Sequence, residues 1–237
     1  DNLELIATYK YVITFIDQGV ATKKDAQAEG AVIEAPAATG KADYTFAGWF
    51  TAENGAGTKL AADTVVTGVA TYYAHYTAKT DISYSIEIYE EVLNKDGEYV
   101  HVDTVLVENA KAGEAIVYNE ARTGFRAPVL DPADAVVANG AVVKAYYDRI
   151  DDITITVDGE TKDYEYGEKL DPTAPETEDG QVFDKWVDKD GNEVKVPTTV
   201  TTDMDNLELI ATYKYVITFI DQGVATKKDA QAEGAVI

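Results

Sequence analysis

Cysteine is absent from all 237 residues. Disulfides, thiolate metal sites, cysteine nucleophiles and internal thioesters are therefore excluded. Histidine occurs only at His75 and His101. No run of about 18 apolar residues exists, so no segment reads as a spanning helix and membrane insertion is not expected. Positive charge is scarce: 20 Lys and Arg stand against 43 Asp and Glu, a formal net charge of −23. Such a surface repels nucleic-acid phosphates and anionic headgroups, so nucleic acid is not expected as a partner. The charge reads instead as solubility and mutual repulsion. The sequence has no initiator Met and opens at Asp1 inside an expected strand over residues 3–11. The expectation is a segment of a longer polypeptide.

What is present is repetition. Residues 1–33 and 205–237 are identical, so the period is 205 − 1 = 204 residues. A repeat of this kind reads as an array whose units stack on their neighbours. The unit divides again. Alternating stretches at residues 11–15, 84–89 and 153–157 open three segments, and Tyr-rich stretches at 71–76, 144–148 and 209–215 close them. Alternation of apolar and polar residues over such lengths marks half-buried strands. Asp-Gly pairs at Asp96-Gly97, Asp158-Gly159 and Asp190-Gly191 supply the positive φ angles of tight hairpins. Helical periodicity is weak, with one or two turns expected at 61–65 and 132–136.

The expected organisation is residues 1–10 as the last strand of a preceding module, 11–80 as module 1, 81–151 as a divergent module 2, 152–215 as module 3, and 216–237 as the first hairpin of the next repeat. Modules 1 and 3 share a Phe-x-x-Trp core, Phe46 to Trp49 and Phe183 to Trp186, where module 2 has Thr123-Gly124-Phe125. Phe46, Trp49 and the closing-strand tyrosines are expected to form one core, and Phe183, Trp186 and Tyr213 another. A module of about 65 residues is marginal alone, and the linkers at 77–81 and 150–152 are short. The fold class is mainly β (α+β), with small modules in an elongated array.

The motifs YTFAGWF at 44–50 and YYAHY at 72–76 resemble the Listeria–Bacteroides repeat, also called the internalin B-repeat. The likeness covers module 1 well and module 3 moderately, and module 2 looks like a relative ending in Tyr146-Tyr147-Asp148-Arg149. Tyr76 stands where the family commonly has Trp. The resemblance implies a β-grasp-like fold and a bacterial cell-surface or cell-wall location. It also implies an extracellular, non-catalytic stalk, spacer or fibre; the alternative is an adhesin module contacting a host protein or glycan. It supplies no catalytic residues.

No catalytic, cofactor or metal residue is assigned, and an enzyme is not expected. His75 and His101 lack the spacing of a zinc or triad site. The adjacent acids Glu90-Glu91 and Asp151-Asp152, with the acidic stretch 176–179, read as solvated faces, because acid–base work needs convergence in a cleft. Asp188-Lys-Asp-Gly-Asn-Glu193 resembles part of a calcium loop but lacks the twelfth-position Glu and reads as a hairpin turn. Gly55-Ala-Gly57 lacks the rest of a phosphate loop. Lys144 and Asn119 are the conceivable pair for an isopeptide bond. Tyr73, Tyr99, Tyr118, Tyr146, Tyr164 and Tyr166 are the candidate binding aromatics, with cross-strand pairing the preferred reading. Expected partners are neighbouring repeats, including head-to-tail pairing of the two chain ends between molecules.

Overall fold

The computed structural model describes residues 4–232. The outermost residues of the expected terminal strand and terminal hairpin, 1–3 and 233–237, lie outside the described residues. Strands make up 51% of the chain and helix 3%, so the protein is mainly β. The described helical residues are two single 3-10 turns, Glu53–Gly55 and Thr202–Met204. The segments expected to be helical at 61–65 and 132–136 form tight turns and isolated bridges instead, Val32 with Val65 and Ala115 with Val136. Backbone pairing across the module outweighs a helix too short to nucleate.

In the first stretch, β1 (Lys10–Asp17), β2 (Val20–Ala28), β3 (Tyr44–Phe50) and β4 (Ala70–Ala78) form a sheet in the order β2-β1-β4-β3. The turn at Gln18 and Gly19, both at positive φ, closes the first hairpin. The central pair β1–β4 is parallel, from Ile13 opposite Ala70 to Ile16 opposite Tyr73. The second stretch supplies β5 (Ile82–Glu91), β6 (Tyr99–Ala110), β7 (Val129–Asp131) and β8 (Val142–Tyr147), ordered β6-β5-β8-β7. The third supplies β9 (Ile153–Val157), β10 (Glu160–Tyr164), β11 (Lys169–Leu170), β12 (Gln181–Val187), β13 (Glu193–Val194), β14 (Thr198–Thr199) and β15 (Leu207–Asp221). Its main sheet runs β10-β9-β15-β12-β13, again with a parallel centre, Leu207 opposite Ile155. The first two stretches therefore share one plan, second strand, first, last, third, and the third stretch keeps second, first and last but continues to β12 and β13, while β11 and β14 pair separately. Finally β16 (Val224–Ala232) pairs antiparallel with β15.

By contacts the chain divides into two compact units. One comprises residues 1–86, 105–116 and 134–143, and the other 87–104, 117–133 and 144–237. In the first, Ile13, Phe15, Ile33, Trp49, Val66 and Tyr72 form the core around β1. Phe15 meets Trp49 edge to face at 4.9 Å and stacks on Tyr72 at 5.6 Å. In the second, Ile153, Ile155, Leu170, Trp186, Val200 and Leu209 form a core. Two expectations change here. Phe46 is 38% exposed and sits at the rim against Trp49 rather than inside. Tyr213 is half-buried, and Leu209, at 0% exposure, holds the interior position on that strand.

The identical segments behave differently. Residues 4–9, read from sequence as strand, carry no regular structure, whereas their copies 208–213 lie within β15. Leu5 is 86% exposed and its copy Leu209 is 0% exposed. The reason is pairing: β12 and β9 flank β15 on its two sides.

Candidate functional site

The candidate residues fall into a few clusters, beginning with Phe-x-x-Trp. In a regular strand, residues three apart point to opposite faces. A bulge corrects this in both modules: the register shifts between Phe46 and Gly48 against β4, and between Phe183 and Lys185 against β15. The extra residue brings the rings together, 5.7 Å for Phe46–Trp49 and 5.4 Å for Phe183–Trp186. The Trp49 indole donates to Pro36 O at 3.2 Å, so the buried N–H is satisfied. A shallow depression lies beside each motif. Ile33, Phe46, Trp49 and Leu60 line the first, with Lys59 over Gly48. Phe183, Trp186, Val194 and Val196 line the second, with Lys185 and Lys195. Lys59 was not legible as a neighbour, because the isolated bridge between Phe50 and Lys59 that brings it there is a property of strand pairing.

A second cluster was not anticipated. Asp17, 2% exposed, ends β1. It accepts hydrogen bonds from the Thr39 N–H and Oγ1, both at 2.7 Å, and from the Tyr76 hydroxyl at 2.9 Å. Burial resists its ionisation, but these donors outweigh burial, and the carboxyl titrates below its ordinary range. Burial and the Asp17 carboxylate together push Tyr76 up. In sequence Asp17 precedes Gln-Gly and gives no signal of these partners.

A third cluster holds two of the six candidate tyrosines, Tyr99 and Tyr146. Tyr146 meets Tyr99 at 4.9 Å and Tyr89 at 5.2 Å, and Tyr89 meets His101 at 5.3 Å. Tyr99 donates to Asp148 and Tyr89 to Glu87, and each hydroxyl is pushed up by its carboxylate. Tyr118 donates to Glu120, and burial raises it most. Tyr164 and Tyr166 pack against the third-stretch core. Tyr73 lies opposite Phe50 in the β3–β4 ladder. All six are half-buried, and their rings are spent largely on one another and on the cores.

The remaining candidates resolve individually. His75 lies edge-on to Phe50 at 5.6 Å, and His101 is exposed and bonded to Thr104 at 2.9 Å. Glu90 pairs with Arg122, while Asp151 and Asp152 pair with Arg126. Asp188 accepts N–H groups of Asp190 and Asn192 at 2.9 and 2.8 Å, and its carboxyl is lowered chiefly by Asn192. That is the hydrogen-bonded turn of the β12–β13 hairpin. Lys144 lies half-buried with its Nζ 5.4 Å from the Tyr89 ring centre, and Asn119 is exposed. Isopeptide formation needs both groups buried beside an acid, so this pair does not meet it. Among the described residues, no three His, Cys, Asp or Glu side chains gather as a metal site.

The linkers carry backbone hydrogen bonds to distant segments. Lys79 N–H donates to Asp43 O at 3.0 Å, and Lys79 O accepts from Ala112 N–H at 2.9 Å. Asp43 Oδ2 accepts from Asn139 N–H at 2.9 Å. In the other unit Arg149 donates through Nη2 to Glu91 O at 2.9 Å and through Nη1 to Tyr166 O at 3.1 Å. Its backbone N–H donates to Glu91 Oε2 at 2.9 Å, and its guanidinium covers the Phe125 ring. Tyr166 N–H reaches Ile150 O at 2.7 Å, and Asn94 N–H reaches Glu165 Oε2 at 2.8 Å.

Residues 11–75 match the family model of the Listeria-Bacteroides repeat domain, and residues 153–217 that of the divergent InlB B-repeat domain. The chain carries a Listeria-Bacteroides repeat domain and a divergent InlB B-repeat domain. Such repeats are typical of bacterial surface proteins. No curated protein matches the chain. Among the described residues, no helix is long and apolar enough to cross a membrane.

Proposed function

We propose that this segment is a non-catalytic stalk or spacer of a bacterial cell-surface protein, built from three β-grasp-like modules per unit. The observation that carries the reading is the bonding of the linkers. A flexible tether exposes its backbone to water. Here Lys79 and the residues about Arg149 instead give their backbone groups to the modules on either side. A segment whose linkers are bonded in this way transmits position from one module to the next. Repetition then sets length, and the strongly acidic surface keeps neighbouring stalks apart. The shared sheet order with a parallel centre supports the β-grasp-like assignment. The partners under this reading are the neighbouring repeats, and the location is extracellular.

Small-angle X-ray scattering on one and on two complete 204-residue units tests it. A maximum dimension that nearly doubles from one to two supports the stalk. A particle that stays compact, or contracts as flexible linkers fold back, overturns it.

A further inference from the structure

The hydrogen bonds around Asp17 bring together three groups of complementary chemistry. Thr39 offers a hydroxyl, Gln18 a carboxamide, and the buried Asp17 a carboxylate. Thr39 Oγ1 donates to Asp17 Oδ2 at 2.7 Å, the contact of a nucleophile with its base. Gln18 Nε2 donates to that same hydroxyl oxygen at 3.2 Å and to Gly40 O at 2.8 Å. The acyl carbon of Gln18 is one bond from this nitrogen, so it is held beside the hydroxyl oxygen. Gln18 also bonds to the Asp17 carboxyl. The Tyr76 hydroxyl lies 3.0 and 2.9 Å from the two Asp17 oxygens and fixes the carboxylate in place. These donors keep Asp17 ionised at neutral pH, the form that can accept a proton.

We propose that Thr39 and Gln18 are the reactants of an intramolecular ester cross-link within the first module, with Asp17 as its base. Thr39 Oγ1 attacks the side-chain carbonyl carbon of Gln18 and passes its proton to Asp17. The C–N bond of the carboxamide breaks, the proton on Asp17 goes to the departing nitrogen, and ammonia leaves. Hydroxyl and carboxamide give ester and ammonia, and Asp17 ends as it began. The step needs no oxidant, reductant or cofactor. The third stretch lacks this set. Its first hairpin turns at Asp158-Gly159, with the same pair of positive φ angles as Gln18-Gly19. Val157 then stands where Asp17 does and Asp158 where Gln18 does, so that turn carries neither the base nor the carboxamide. In the first module the ester ties the tip of the β1–β2 hairpin to the segment before β3, across 39 − 18 = 21 positions of chain. A cross-link of this kind removes freedom from the unfolded chain and so holds the hairpin on its core.

Intact-mass spectrometry of the full chain, after incubation to constant mass, tests the cross-link. The expected result is the loss of one ammonia. Trypsin is then expected to release peptides 11–23 and 25–41 joined as one species, which hydroxylamine separates. Residues 215–227 repeat the sequence of 11–23, so Gln18→Glu, which alters one copy alone, assigns the linked glutamine. Gln18→Glu and Thr39→Val are expected to keep their full masses, and Thr39→Ser to lose ammonia as the unsubstituted chain does. Asp17→Asn, checked for folding by circular dichroism, is expected to slow the loss about a hundredfold. An unreacted mass for the unsubstituted chain overturns the proposal. So does an ammonia loss that persists in Thr39→Val or in Gln18→Glu.

Discussion

Phe46 and Trp49, three residues apart on one strand, meet edge to face at 5.7 Å because Ala47 is an extra residue that β4 does not match. Phe46 lies opposite Tyr76 and Gly48 opposite His75, so removing Ala47 leaves a continuous ladder with both rings still on one face. Deletion of Ala47 is expected to preserve the fold and the aromatic near-UV circular dichroism. Deletion of both Ala47 and Gly48, which makes Phe46 and Trp49 neighbours on opposite faces of the strand, is expected to lose that signal. Equal effects of the single and double deletions would contradict the assigned bulge.

Asp17 ties first-module stability to pH. Its folded-state pKa is depressed, so its contribution is present above the unfolded carboxylate value and is lost as pH falls through the folded one. Thermal melts followed by tryptophan fluorescence are expected to show stability falling below about pH 4. Asp17→Asn is expected to cost about 2 kcal/mol at neutral pH, typical of hydrogen bonds to a charged group. It should also flatten the acid dependence. An Asn variant with the same acid slope as the unsubstituted chain contradicts this account.

Arg149 is the pin of the second linker. Arg149→Lys keeps the charge but cannot span Glu91 O and Tyr166 O with a planar fork. Hydrogen exchange is expected to quicken at the Tyr166 and Arg149 amides. Amides of β9, which carries none of these bonds, are expected to hold. Unchanged protection at Tyr166 would show that the guanidinium is not what holds the linker.

Two glycines separate backbone conformation from packing. Gly97 and Gly124 both have positive φ, +74° and +83°. A Cβ on Gly97 meets nothing within 4 Å, whereas one on Gly124 falls 2.1 Å from the Tyr166 ring. Gly97→Ala is expected to cost about 1 kcal/mol, the left-handed penalty alone. Gly124→Ala is expected to cost about 3 kcal/mol, since overpacking is added. Chemical denaturation of the two variants checks the difference, and similar losses would remove the packing argument.

Strand identity was legible from alternation and Asp-Gly turns, because those signals are local. The misreadings are all cases in which pairing decides. Residues 4–9 and 208–213 have one sequence and two conformations, so no local rule separates Leu5 from Leu209. Phe46 was assigned to a core because Phe-x-x-Trp looks like a buried motif, yet the bulge leaves it at the rim. Asp17 gave no signal in the sequence because its donors, Thr39 and Tyr76, come from distant segments. The linkers looked merely short, and Arg149 was read only as the end of the Tyr146-Tyr147-Asp148-Arg149 stretch. The preference for cross-strand pairing of tyrosines held where Tyr146 meets Tyr89 and Tyr99.

The parallel centre of the sheet also fixes how a module answers tension. The chain enters the first module at β1 and leaves it along β4, and these strands lie side by side and point the same way. Pulled from its two ends, such a pair is dragged in opposite directions along the strand axis. The rungs between Ile13–Ile16 and Ala70–Tyr73 share the strain together instead of parting one after another. β9 and β15 repeat the geometry in the third stretch. Shear flow that would peel a hairpin open must here slide a whole ladder at once, so resistance to stretching is set by topology and not by equilibrium stability.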